Sequence, residues 1–240
     1  MDLSVVIPVR NEAPNVAPLV EEIRAALDGR VDYEIVYVDD GSGDDTAGEL
    51  RRLTRDFARL RIIRHRRSAG QSMAIRSGVK AARGPWIATL DGDGQNDPAD
   101  IMRLWEIARA APPIPPVLIA GHRHKRRDSR VKRWASRAAN AIRRGLLGDG
   151  TPDTGCGLKI VRRDLFLDLP CFDHMHRFLP ALVLRAGGTV ISVPVNHRPR
   201  ERGRSNYGVL DRAWVGVVDL LGMMWLIRRA KNPELLHDDP

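Results

Sequence analysis

Cysteine is nearly absent from this chain: Cys156 and Cys171 are the only two among 240 residues. That is too few for a disulfide framework, and their spacing is not that of a zinc site. No apolar run reaches the roughly 20 residues needed to cross a bilayer. The nearest, AWVGVVDLLGMMWLI (213–227), is shorter and is interrupted by Asp219. A Walker loop and a G-x-G-x-x-G fingerprint are both missing, which argues against P-loop and nicotinamide enzymes. The seven histidines show no H-E-x-x-H or paired-ligand spacing, so His174, His176 and His197 receive no catalytic role. No G-x-S-x-G elbow supports a serine nucleophile. The opening MDLSVVIPVR lacks the basic start and longer apolar stretch of a secretory leader, so a cytoplasmic protein is expected.

What is present suits one folded domain. Hydrophobic residues make up 43% and charged residues 29%, which excludes a disordered or fibrous chain. The net charge of +9 is concentrated in one place. Between Gly121 and Arg144 stand ten Lys and Arg against the single acid Asp128, and the rest of the chain balances to zero. Such a local excess implies a partner of concentrated negative charge.

Up to residue 120, apolar β-rich runs alternate with segments of helical period: LSVVIPV, helix 14–27, YEIVYVDD, helix 45–58, LRIIRH, helix 72–82, WIATLDGD, helix 98–110, PVLIAG. Alternation of this kind predicts an α/β fold with a mostly parallel sheet covered by helices, and the continuously apolar strands predict burial on both faces. Ser72 and the pair Asp97-Pro98 mark helix starts. Beyond 120 the spacing predicts a basic helix over 129–146, a strand near GLKIV, a helix over 176–186, a strand TVISVPV and a C-terminal amphipathic helix from 209. The expected division is a catalytic body over 1–208 and a terminal helical element over 209–240.

Ligands of open parallel sheets bind beyond the carboxyl ends of the strands. Four polar clusters fall there: PVRNE, VDDGSGDDT, DGDGQND and GHRHKRR. Asp91 and Asp93, two apart with Gly92 and Gly94 around them, can turn two carboxylates together, and Gln95 can add an oxygen. Mg2+ or Mn2+ takes such ligands and shares them with substrate phosphates; an acidic surface turn is the structural alternative. Asp40, at the end of the second strand, can accept from a ribose or a base edge, while Ser42, Asp44 and Asp45 serve as helix caps. Arginines of the basic segment and of HRPRERGRSNYG (197–208) pair with phosphate through a planar fork; a solvated helix face is the alternative.

In this order, VIPVRNE, VDDGSGDDT and LDGDGQNDP resemble family 2 glycosyltransferases of the A-type, Rossmann-like fold. DTGCGLKIVRR, HRFLPAL and RPRERGRSNYG resemble the polyprenyl-phosphate (dolichol-phosphate mannosyltransferase-like) branch. The resemblance runs over nearly the whole chain. It implies that Pro8, Val9, Asn11, Glu12, Asp40 and Gly70 hold the nucleotide of a UDP- or GDP-sugar. It also implies that Asp91, Asp93 and Gln95 bind the metal and the diphosphate, that Arg123 contacts phosphate, and that Asp153 is an active-site acid. Arg126, Arg127, Arg130, Ser136, Arg200 and Ser205 would gather the acceptor phosphate. The chain departs from the branch where Asn206 replaces a phosphate-contacting lysine.

A polyprenyl phosphate attacking an anomeric carbon is already an anion and needs no strong base; the barrier lies in bringing two anionic substrates together. The expected activity is metal-dependent, inverting sugar transfer to that lipid for envelope or glycan assembly. Trp214, Val218, Leu221, Met224 and Trp225, followed by Arg228, Arg229 and Lys231, suit peripheral contact with the cytoplasmic face of the inner membrane. A core or dimer helix in a homo-oligomer is the alternative. Two other functions remain open: a family 2 enzyme with a saccharide acceptor, and a nucleic-acid module on the basic helix. The acidic clusters argue against the nucleic-acid module.

Overall fold

The computed structural model describes residues 1–123, 143, 145–200 and 209–231, with backbone alone for 209–215. A seven-stranded sheet runs through its centre: β1 (Leu3–Val9), β2 (Tyr33–Asp39), β3 (Leu60–Arg64), β4 (Trp86–Thr89), β5 (Val117–Arg123), β6 (Lys159–Arg162) and β7 (Thr189–Val195), in the order β3-β2-β1-β4-β6-β5-β7. The strands β1, β2, β3 and β4 are mutually parallel, as are β5 and β7. β6 runs antiparallel to both its neighbours, β4 and β5. The mostly parallel α/β sheet expected from the alternating pattern is therefore present, with β6 as its one reversed strand.

Seven α-helices cover the sheet among the described residues: α1 (Ala13–Leu27), α2 (Thr46–Asp56), α3 (Gln71–Ala81), α4 (Asp100–Ala110), α5 (Arg163–Asp168), α6 (Leu179–Arg185) and α7 (Val209–Arg228). A 3-10 turn, Met175–Arg177, leads into α6. Alternate strand residues divide between two cores. Leu3, Val5 and Ile7 pack with α1, α2 and α4, whereas Val6 and Val36 pack with α3, α5, α6 and Met223 of α7. Burial on both faces is why the strands read as continuous apolar runs.

Helix boundaries follow the sequence closely, with two corrections. α3 begins at Gln71 behind Gly70, whose φ of 88° lies in the left-handed region. Ser72 is therefore inside the helix, where its hydroxyl bonds His176 instead of capping. The predicted 176–186 helix divides into the 3-10 turn and α6 because Pro180 opens the latter in its first turn. The predicted basic helix lies outside the described residues from 129 to 142; at its end, Arg143 and 145–147 are helical.

Candidate active site

The carboxyl ends of β1, β4 and β5 and the loop before β6 converge on one cleft. β4 stops at Thr89, so Leu90 to Asn96 are free to turn back across the sheet edge. Gly92 permits this: a Cβ there would meet Val9 Cγ1 at 2.3 Å and the Pro8 carbonyl at 3.1 Å. The two predicted clusters PVRNE and DGDGQND are thus pressed together. Asp91 accepts from Gln71 Nε2 at 2.9 Å on Oδ1, and its backbone N–H donates to Asn96 Oδ1 at 3.3 Å.

Asp91 lies against the loop before β6 so closely that a Cβ on Gly157 would fall 2.3 Å from its carboxyl carbon. Burial, reinforced by the charge of Asp93, raises its carboxyl from an ordinary 3.8 to about 6. A cation relieves both penalties. No group of three or more His, Cys, Asp or Glu able to hold a metal occurs among the described residues. Two carboxylates alone still match a hard ion that takes its remaining oxygens from diphosphate and water, so Asp91 and Asp93 fit Mg2+ or Mn2+. Gln95 fits less well. Its backbone N–H closes the turn on Asp93 Oδ1 at 3.1 Å, and its side-chain amide donates to the Arg198 carbonyl at 3.3 Å, tying the loop to the residues after β7.

Arg123, at the end of β5, is held in a fork by Asp153: Nε to Oδ2 at 2.6 Å and Nη2 to Oδ1 at 2.8 Å. Both are largely buried, and the pairing raises the arginine still further above its ordinary range against the opposing effect of burial. The two residues assigned separately from the sequence thus act as one unit. Behind them Lys159, fully enclosed, donates to the carbonyls of Cys156 and of Thr154, the latter at 3.3 Å. Burial lowers its ammonium, with Cys156, Asp91 and Asp153 opposing the shift.

Several of the residues expected at the nucleotide bond to other parts of the chain. Asn11 adopts a positive φ of 57°, accepts from Gly43 N–H at 2.8 Å and donates its own N–H to Ser42 Oγ at 3.0 Å. Asp40 does not face outward. Its carboxylate accepts from Ser68 Oγ (2.7 Å), Ala69 N–H (2.8 Å) and Gly70 N–H (3.0 Å), and His65 Nδ1 lies 2.6 Å away. These bonds outweigh burial and hold it below the ordinary carboxylate range. Asp40 and Gly70 therefore secure the loop ahead of α3. Glu12 accepts from Asn15 Nδ2 at 2.6 Å and from the Arg200 guanidinium. Burial nevertheless leaves its carboxyl raised. Arg200, expected at the acceptor phosphate, is paired with Glu12. Arg126, Arg127, Arg130, Ser136 and Ser205 lie outside the described residues.

A cavity of about 350 Å3 opens from Asp91 toward α3 and the 3-10 turn, lined among others by Gln71, Gly157, Lys159, His176 and Arg177. Burial, then the charges of Lys159 and Arg177, keep His176 neutral, well below its ordinary value. Gln71, Lys159 and Arg177 were not singled out from the sequence, and His176 was named there without a catalytic role. Lys159 and Arg177 stand inside the motifs DTGCGLKIVRR and HRFLPAL, but nothing in the spacing shows that these segments meet.

Residues 4–169 match the family model described as Glycosyl transferase family 2. The chain is 36% identical over 242 residues to a dodecaprenyl-phosphate galacturonate synthase of Rhizobium johnstonii, covering 97% of this chain and 69% of that protein. It is 35% identical over 210 residues to an undecaprenyl-phosphate 4-deoxy-4-formamido-L-arabinose transferase of Edwardsiella ictaluri, covering 87% of this chain and 63% of that one. Both relatives are longer than the part this chain spans. Among solved structures, a glucosyl-3-phosphoglycerate synthase of Mycobacterium tuberculosis in complex with Mn2+, UDP and phosphoglyceric acid superimposes with a TM-score of 0.68 at 19% identity, covering 96% of this chain and 80% of that one. At that identity the likeness is one of fold.

Proposed function

Because the chain belongs to glycosyl transferase family 2, we propose that it transfers a sugar, with inversion, from a UDP- or GDP-linked donor to a polyprenyl phosphate. The observation that carries this reading is the nearness of buried Asp91 both to Asp93, two residues on, and to the cations Lys159 and Arg123, whose charges act on its carboxyl. The acids suit a diphosphate-bound cation, and Arg123 suits a second anion brought beside it. Mg2+ or Mn2+, when bound, supplies Lewis-acid stabilisation of the departing diphosphate. The residues of the chain do the rest: Gln71 and Gly157 fix the carboxylate of Asp91, Asp153 aims the fork of Arg123, and Asn11 with Glu12 shapes the nucleoside end. The two relatives from Rhizobium johnstonii and Edwardsiella ictaluri are named for dodecaprenyl and undecaprenyl phosphate, which supports the same acceptor class here.

The alternative, a saccharide acceptor, needs a carboxylate able to take a proton from a hydroxyl. Asp153 is committed to Arg123 and Asp91 to the cation, so the arrangement favours an acceptor that arrives already ionised. A phosphate oxygen attacks the anomeric carbon as the bond to the nucleotide breaks, and no proton has to move.

The acceptor's lipid tail calls for a membrane-facing surface, which α7 offers. No described helix is long and apolar enough to cross a membrane. Val217, Val218, Leu221 and Trp225 are nevertheless exposed on α7, consistent with a protein lying on the cytoplasmic face of the inner membrane. The test is transfer of radiolabelled sugar to short-chain polyprenyl phosphate with and without chelator. An Asp93→Ala variant should lose about a hundredfold in rate, equal to roughly 3 kcal/mol of transition-state stabilisation. Undiminished transfer in excess chelator would overturn the metal-dependent reading.

A further inference from the structure

We propose that the cavity beside Asp91 receives the donor's sugar and selects one that carries a carboxylate, a uronic acid, through Arg177 and Lys159. The inference rests on the reading of Asp91 and Asp93 as the diphosphate end of the donor. A sugar joined to that diphosphate is the next group along, and the cavity that opens there has a volume of about 350 Å3, in the range of small-molecule sites.

Its walls are electrically unbalanced. Arg177 is partly buried, yet its guanidinium makes no hydrogen bond or ion pair with any described residue. Lys159 is buried and meets two backbone carbonyls but no carboxylate at ion-pair distance among the described residues. Among the described residues Asp91 is the one acid lining the cavity, and it is engaged by Gln71 and by its proposed cation. His176, bonded to Ser72 Oγ at 2.7 Å, adds no negative charge. Two cations facing a cavity without a free anion favour a ligand that brings one, because a buried charge is costly until paired. An uncharged hexose leaves both cations uncompensated, and a cationic amino sugar adds to the repulsion. A site built for a charged group rejects the analogue lacking it more strongly than an apolar pocket rejects a missing methylene.

Calorimetric binding to the full chain with Mn2+ tests this without relying on turnover. The paired donors are UDP-galacturonate against UDP-galactose, and GDP-mannuronate against GDP-mannose. The acidic member of at least one pair should bind about 10- to 100-fold tighter, the range of one charge-assisted hydrogen-bonded contact. In Arg177→Gln the gap should close to within about threefold, and Arg177→Lys, which keeps the charge and loses the fork, should fall between. Equal or tighter binding of the neutral sugar in both pairs overturns the inference and leaves polyprenyl-phosphate transfer standing. So does an Arg177→Gln variant that loses affinity for short-chain polyprenyl phosphate while keeping its sugar discrimination, since the cation would then serve the acceptor. Transfer of no sugar to polyprenyl phosphate, with uronate preference intact in binding, fails the proposed function instead.

Discussion

Asp91 holds its proton more tightly in the folded chain than in the unfolded one, and the sign of that difference fixes two outcomes. Its carboxyl rises from 3.8 to about 6 on folding, so between those values the native state carries the extra proton. Stability of the metal-free protein should fall as pH rises through that window and level off on either side of it. The cation binds the ionised form, so its affinity should drop about tenfold per pH unit below 6. Thermal midpoints measured with and without Mn2+ at pH 5 and pH 7.5 check both, the Mn2+ increment being expected to be smaller at pH 5 by the equivalent of about a tenfold weaker affinity. Asp91→Asn keeps the acceptor for Gln71 and removes the charge. The metal-free variant should therefore be more stable than the parent at pH 7.5, by about 1 kcal/mol, while losing the Mn2+ increment. The fork between Arg123 and Asp153 behaves oppositely. Removing either partner leaves a largely buried charge, so Asp153→Ala should cost about 3 kcal/mol in chemical denaturation. At this scale Asp91 and Asp93 stood out as candidates because their motif puts two carboxylates beside glycines at a strand end, whereas Arg123 and Asp153 were named separately through the resemblance and their pairing was not foreseen. Lys159 and Arg177 did not stand out: a buried lysine and an unpaired arginine look like any other cation until the chain folds. Asp40, expected at the nucleotide, also holds the loop ahead of α3; sequence shows where a carboxylate lies along a strand, not which backbone N–H groups it meets.

The loops that carry these residues are held by contacts from elements distant in sequence. Gly157 lies 66 positions beyond Asp91, yet a Cβ on it would overlap that carboxylate. Gly157→Ala should push the Asp91 side chain aside while leaving the two cores intact. Transfer should fall on the order of a hundredfold, with a thermal midpoint within about 4 °C of the parent, corresponding to less than about 2 kcal/mol. An unchanged rate would show that Asp91 need not stay against the loop before β6. The strands were readable from their apolar runs and turns. The reversal of β6 was not, because a four-residue apolar segment carries no record of direction. That reversal matters to the site: by entering the sheet between β4 and β5 from the opposite end, β6 brings its preceding loop, with Asp153 and Gly157, and its own first residue, Lys159, to the carboxyl edge where the acids lie.

For the molecule as a whole, α7 has a double character. Met223 is 1% exposed and Asp219 lies 3.0 Å from His174 Nδ1, so one side of the helix is fastened to the body. Leu221 and Trp225 are 60% and 63% exposed on the other, and Arg228, Arg229 and Lys231 follow within one to two turns. The amphipathic helix from 209 was legible from this spacing; which side would be covered was not, since both sides carry large apolar residues. An apolar strip with a basic end suits the proposed contact with anionic lipid, where hydrocarbon burial and charge attraction add. Each part has its own signature. Leu221→Glu with Trp225→Glu removes the apolar contact and should weaken sedimentation with phosphatidylglycerol vesicles at least tenfold, whatever the salt. Arg228→Gln with Arg229→Gln should weaken it mainly at low ionic strength, where headgroup attraction is least screened. Because these side chains lie on the face turned away from the core, neither pair should shift the melting midpoint by more than a few degrees. If the same strip joined two copies of the chain instead, Leu221→Glu with Trp225→Glu would convert a dimer to a monomer in sedimentation velocity and leave vesicle binding as it was. The effect on activity depends on the acceptor: transfer to a water-soluble short-chain phosphate should survive the glutamate pair, whereas transfer to a long polyprenyl phosphate in vesicles should fall with the loss of binding.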